Sequence, residues 1–235
     1  MPTTPEPQAV ALFDVDRTLL ARSSVLALAG PLHAAGLLPL AGLMRALREQ
    51  LVFTRGGADH ARMERGRRLV AAQVAGWDRR TVVEVVEAAL HSHLAPLVFA
   101  EARALVTEHR RRGDAVALVT TAAVEVAEPI ARLVGAQHVL ASRLTAVDGR
   151  WTGDLDVYAY GPHKAVMARD LADEHGYDLA RSTAYSDSVT DLPLLELVGR
   201  PHAVNPDRAL LRAARGRQWP VLRFAPLPRR GRGAA

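Results

Sequence analysis

The 235-residue chain contains no cysteine. That excludes disulfides, thiolate metal sites and cysteine nucleophiles, and it fits the reducing cytoplasm. Aromatic residues make up only 5% of a chain that is 49% hydrophobic. The core must therefore be built from alanine, leucine and valine, as expected for helices packed on an aliphatic sheet. A basic patch interleaved with aromatics is also missing. The net charge of +5 is spread over arginines in helix-like segments and the terminal RRGRG, which argues against nucleic acid as a partner and suits a small anionic substrate. The opening MPTTPEPQ has neither a basic nor an apolar segment, so it reads as a flexible lead-in and not as a signal peptide.

One long uncharged run is present. Ser23 to Met44 spans 22 residues, the length of a bilayer crossing. Pro31, Pro39, Gly30, Gly36 and Gly42 divide it into shorter pieces, which favours a helical insertion over membrane contact.

Val10 to Phe13 is a short apolar run of the kind a fully buried parallel strand requires. From Ala21 to about Leu94 the pattern is helical, as in LMRALREQLVF and RTVVEVVEAALHSHL. In the second, Asp78 is placed to cap, and Val82, Val85, Val86, Ala89 and Leu90 fall on one face. Further helices are expected up to Gly113, Gly135, Gly176 and Gly199, with Pro129 in the first turn of the second. AVALVTT, STAYS and PHAVNP read as strands, and Asp148-Gly149 predicts the turn of a projecting β-hairpin.

Strands alternating with helices imply an α/β fold with a Rossmann-like parallel sheet. The helical block after the first strand breaks that rhythm. It reads as an inserted helical cap over 21–95, with the core formed by 9–20 and 96–225 and flexible tails at 1–8 and 226–235.

Ligands of such sheets collect at the carboxyl ends of strands. Here these ends carry Asp14, Asp16 and Thr18, then Thr120 and Thr121, then Asp187 and Asp191, while Lys164 opens a helix between the last two groups. Taken singly, each has an ordinary structural role: an Asp in a turn or helix cap, a Thr at a strand end, a Lys on a solvated helix. Together they can do more. Asp14 and Asp187 are hard oxygen ligands suited to Mg2+. A carboxylate oxygen of Asp14 can attack phosphorus, Asp16 can move the protons, and Thr120, the Thr121 N–H and Lys164 can bind the phosphoryl oxygens.

FDVDRTLL, ALVTT, the lysine of GPHKAVMARDLA, and YSDSVTDLPLLELVG followed by AVNPD resemble the four ordered motifs of the haloacid dehalogenase superfamily, and within it the phosphoserine-phosphatase-like branch (subfamily IB). The resemblance runs from about Val10 to Asp207. It implies a Mg2+-dependent cytoplasmic phosphatase acting on a small phosphorylated metabolite. It assigns Asp14 as nucleophile and metal ligand, and Asp16 as general acid/base that also binds metal through its carbonyl. Thr120 and Lys164 become phosphate binders, Asp187 a metal ligand, and Asp191 a support for Lys164 or a metal-bound water.

Two positions depart from the family pattern. Arg17 stands where Gly or Ser is frequent, and Thr-Thr-Ala replaces the usual Ser-Gly of the second motif. For Arg17 three roles are open: a surface charge, a clasp on a cap acid, or a contact to the leaving group. His60, Arg62, Arg65 and Arg68 are further candidates for meeting an anionic leaving group. Two other functions compete: a metal-dependent glycosyl or phosphoryl transferase using DVD as its metal motif, and a non-catalytic regulator on an inherited phosphatase fold.

Overall fold

A computed structural model describes residues 8–39 and 74–225. The predicted helix LMRALREQLVF, the candidates His60, Arg62, Arg65 and Arg68, and most of both tails lie outside the described residues. Strand β1 (Val10–Phe13) is buried at every position. It runs parallel to β2 (Ala115–Ala123) on one side and β5 (Thr183–Ser186) on the other. With β3 (His138–Val147), β4 (Arg150–Val157), β6 (Arg200–Val204) and β7 (Val221–Leu222), the sheet has seven strands in the order β4-β3-β2-β1-β5-β6-β7. Every pairing is parallel except β3 with β4.

Alternation along the central strands feeds two apolar layers. Ala11, Phe13, Val116 and Leu118 face one, and Val10, Leu12, Ala117 and Val119 face the other. The first layer is covered by α1 (Ser24–Ala34), α2 (Arg79–Ala89), α3 (Ala100–Arg111) and α4 (Val124–Val134). The second is covered by α5 (Pro162–His175), α6 (Leu192–Leu197) and α7 (Arg208–Gly216). Each fully buried leucine or phenylalanine removed from water contributes about 1.5–3 kcal/mol. This sheet with helices on both faces is the expected α/β architecture.

The uncharged run is spent on this core. Its described part forms the 11-residue helix α1 and a turn, burying Leu28, Ala29, Leu32 and Leu38. At 1.5 Å per residue, α1 is about 16 Å long, half a bilayer's apolar thickness. Among the described residues, no helix is long and apolar enough to cross a membrane.

The chain leaves β1 and returns to β2 through adjacent segments. Ala21 N–H donates to the Leu97 carbonyl at 2.8 Å, and Phe99 N–H to the Leu19 carbonyl at 3.0 Å. Between them, α2 begins at Asp78, whose carboxylate accepts from Thr81 N–H at 2.9 Å as expected. It widens into a π turn over Leu90–Leu94 and tightens over Ala95–Leu97, where Pro96 ends it. Two ion pairs join α2 to α4, Arg79 with Glu125 and Arg132 with Glu87.

Several expectations are corrected. Pro129 is not in the first turn of its helix, because α4 starts earlier, at Val124. The strand before the hairpin is longer than expected: β3 pairs with β2 as far as Ser142, then with β4. Asp148 and Gly149, at φ +49° and +77°, form the tight turn that two positive φ values demand. The hairpin does not project. Trp151 exchanges backbone hydrogen bonds with Gly76 and Trp77 (2.7 and 3.0 Å), and its ring is buried and stacks on Trp77. The last helix before β6 stops at Leu197, and Gly199 serves another purpose. A Cβ there would lie 1.8 Å from the Ala180 carbonyl oxygen.

Candidate active site

β1, β2 and β3 extend the sheet one way and β5, β6 and β7 the other, so the strand order reverses between β1 and β5. Ligands of open parallel sheets bind at this switch, beyond the carboxyl ends. Asp14 follows β1 directly and Asp187 follows β5 directly. Asp14 is pinned by its own N–H, which donates to the Tyr185 carbonyl at 3.0 Å.

Lys164 opens the first turn of α5, whose Pro162 presets the helical backbone. Its side chain points inward. Nζ donates to Asp14 Oδ1 at 2.7 Å and to Asp191 Oδ2 at 2.8 Å, and all three side chains are at least nine-tenths buried. Ser186 Oγ donates to the same Asp191 oxygen at 2.8 Å. Burial alone would lower the Lys164 pKa, but the charges of Asp14 and Asp191 outweigh it and raise it. Asp14 is pushed up to about 6: burial raises it, Lys164 opposes, and the charges of Asp191 and Asp16 add to the rise.

Asp187 is buried too, and its Oδ2 lies 2.9 Å from Arg17 Nη2. Burial and then the nearby charge of Asp14 push it up to about 8 against the pull of Arg17. Asp16 is partly covered. Its Oδ1 accepts from Ser24 N–H at 2.8 Å, and burial raises its pKa against the hydrogen bonding of Ser24 and Ser23.

Of the remaining candidates, Thr120 and Thr18 are buried and Thr121 is not. Thr120 is buried, and its hydroxyl accepts from Ala122 N–H at 3.1 Å, which leaves its own proton to donate elsewhere. Thr121 is exposed. Thr18 is fully buried, and its hydroxyl meets no partner among the described residues.

Sequence reasoning missed Ser186 and Asp207. Asp207 holds the loop after β5 from below: its N–H donates to the Asp187 carbonyl at 2.8 Å, and its carboxylate accepts from Val189 N–H at 3.0 Å and Leu210 N–H at 2.7 Å. The signal was an Asp three residues before an apolar helical stretch, an ordinary N-cap pattern.

Four carboxylates thus face two cations, Lys164 and Arg17. The excess negative charge and the all-oxygen donor set fit a divalent cation. No cluster of three acids or histidines makes a complete cage among the described residues. Mg2+ does not need one, since it keeps several waters and binds through one or two carboxylates and a substrate phosphate.

The family model for haloacid dehalogenase-like hydrolase matches residues 11–196. The "Inhibition of morphological differentiation protein" of Streptomyces azureus is 47% identical over 219 residues, covering 93% of this chain and 79% of the relative. A probable phosphatase of Mycobacterium tuberculosis is 44% identical over 223 residues, covering 95% and 78%. Among solved structures, a Bordetella pertussis protein with unknown function superimposes with TM-score 0.79 at 32% identity, over 92% of this chain and 98% of its own. A substrate-bound phosphoserine phosphatase shares the fold, with TM-score 0.68 at 18% identity, over 92% and 93%. With its motifs gathered at one strand-order reversal and the family match spanning most of its length, the chain belongs to the haloacid dehalogenase-like hydrolases.

Proposed function

We propose that the protein is a Mg2+-dependent phosphatase that hydrolyses a small phosphate monoester through an aspartyl-phosphate on Asp14. The observation that carries this reading is the buried ammonium of Lys164, held at 2.7 and 2.8 Å between Asp14 and Asp191 at the strand ends. A structural lysine gains little from such burial. A site that must hold a phosphoryl group against a carboxylate needs a fixed positive charge there. Membership of a hydrolase family and a relative named as a probable phosphatase support the same chemistry.

Asp14 and Asp187, with the carbonyl of Asp16, would hold Mg2+; when bound, it neutralises the phosphate and polarises phosphorus. Asp14 attacks through Oδ2, because Oδ1 is committed to Lys164. The ammonium opposes the burial that raises the Asp14 pKa, and at the resulting value of about 6 the carboxylate is mostly ionised at neutral pH. Asp16, whose pKa burial also raises, gives its proton to the departing alcohol oxygen as the ester bond breaks. It then takes a proton from the water that attacks phosphorus, which frees Asp14 and inorganic phosphate. Thr120 and the Thr121 N–H hold phosphoryl oxygens, while Asp191 and Ser186 keep Lys164 in place.

We read the segment over 21–95 as a cap whose closure over this site excludes water. Its zipped connections at Ala21–Leu97 and Leu19–Phe99 form the base of such a lid. The substrate is a small phosphorylated metabolite of the cytoplasm.

The test is turnover of a panel of phosphorylated metabolites with Mg2+. Asp14→Asn should lower kcat by at least about a thousandfold with an unchanged circular dichroism spectrum. Full activity in that variant, or in EDTA, would overturn the mechanism.

A further inference from the structure

The mechanism above does not use Arg17, yet its geometry is the least ordinary in the site. Its φ is +66°, in the left-handed region that residues with side chains seldom adopt. Such backbone persists where the surroundings over-determine it, and it clusters at functional sites. The side chain turns onto Asp187, with Nη2 2.9 Å from Oδ2; the guanidinium side chain is 45% exposed and the carboxylate side chain 6%. One end of this ion pair therefore faces solvent while the other belongs to the buried cluster. Among the described residues, Asp187 is the acid that Arg17 pairs with.

We infer that Arg17 reads the leaving group, and that the preferred substrate carries a second anionic group, a carboxylate or a phosphate, on the alcohol side of its ester. This rests on the phosphatase reading. Arg17 directly follows Asp16, the residue proposed to meet the leaving oxygen, so the two side chains leave the backbone from neighbouring Cα atoms about 3.8 Å apart. As a ligand of a bound divalent cation, Asp187 would no longer hold the guanidinium it now pairs with. Arg17 would then be free to offer a fork of N–H donors, whose planar geometry matches a carboxylate or phosphate in two-point contact. A neutral leaving group offers it no partner.

The test compares phosphonoacetate with ethylphosphonate, two non-hydrolysable phosphonates of similar length, of which the first alone carries a carboxylate. Titration calorimetry with Mg2+ should show the wild type binding phosphonoacetate at least about tenfold tighter, with Arg17→Gln reducing the ratio to about threefold or less. Arg17→Lys keeps the charge without the fork and should fall between the two. It also carries the test if the glutamine variant does not fold. Equal binding of both phosphonates by the wild type, binding of neither, or a preference that survives in both variants would overturn the inference. Turnover assays on the same preparations separate it from the phosphatase reading. Esters hydrolysed without an Arg17-dependent carboxylate preference sink the inference alone. Arg17-dependent phosphonate binding with no ester turned over sinks the phosphatase reading alone.

Discussion

Lys164→Met replaces a buried ammonium by an apolar chain of similar length and leaves Asp14 and Asp191 facing each other without a cation. The side chains concerned are 4%, 9% and 3% exposed, so water cannot take over the lost contacts. Breaking a buried ion pair costs about 3–5 kcal/mol, and this is the loss expected at pH 8 in EDTA. Two components make it up, and they differ in pH dependence. The folded pKa of Lys164 lies above its unfolded value, so its stabilisation is fully present below about pH 10 and is lost equally at pH 5 and pH 8. The carboxylates behave otherwise. Asp14 already stands at about 6 in the folded state against 3.8, and without Lys164 it moves higher. An acid with a raised folded pKa binds its proton more tightly in the folded than in the unfolded chain, so stability falls as pH rises through that window.

The loss in Lys164→Met should therefore be about 2 kcal/mol smaller at pH 5, where Asp14 escapes by protonation. At pH 8 the full loss lowers Tm by about 6–20 °C for a chain of this size. Urea denaturation followed by tryptophan fluorescence at both pH values measures it. A loss below about 1 kcal/mol at pH 8, or one that is the same at both pH values, would refute the claim that this lysine neutralises a buried acidic cluster.

Asp187→Asn should stabilise the metal-free protein at pH 8. The carboxyl is held at about 8 by burial and by Asp14, so ionising it costs on the order of 2–4 kcal/mol that the amide does not incur. In EDTA the wild type should lose stability from pH 5 to pH 8 more steeply than the variant, and a variant less stable at pH 8 would contradict the assignment. Gly199→Ala should destabilise by more than about 3 kcal/mol, since its Cβ would stand 1.8 Å from the Ala180 carbonyl oxygen. A Tm within 2 °C of wild type, which corresponds to about 1 kcal/mol or less, would show that the backbone there shifts freely.

What the sequence alone determined is what local rules govern. A parallel strand buried on both faces must be apolar throughout, so Val10–Phe13 announced itself and brought Asp14 to a strand end. The Asp148-Gly149 turn and the Asp78 cap were legible for the same reason, since each depends on neighbours within four residues. The strand-end rule also groups Asp14, Asp187 and Asp191, with Lys164 at a helix start between them. It could not pair them, because Lys164 and Asp14 are 150 positions apart.

Tertiary structure decided what depends on such meetings. It drew Arg17 onto Asp187, set Ser186 against Asp191, and tied the hairpin down on Gly76 and Trp77. It also divided β3 between two partners, since a strand's pairing is set by what lies beside it. Gly199, which local rules read as a helix stop, is needed because a distant carbonyl comes too close for any side chain. The sequence could name the reacting groups, but only folding decided which charges offset one another, because a pKa depends on burial and neighbours that the order of residues does not contain.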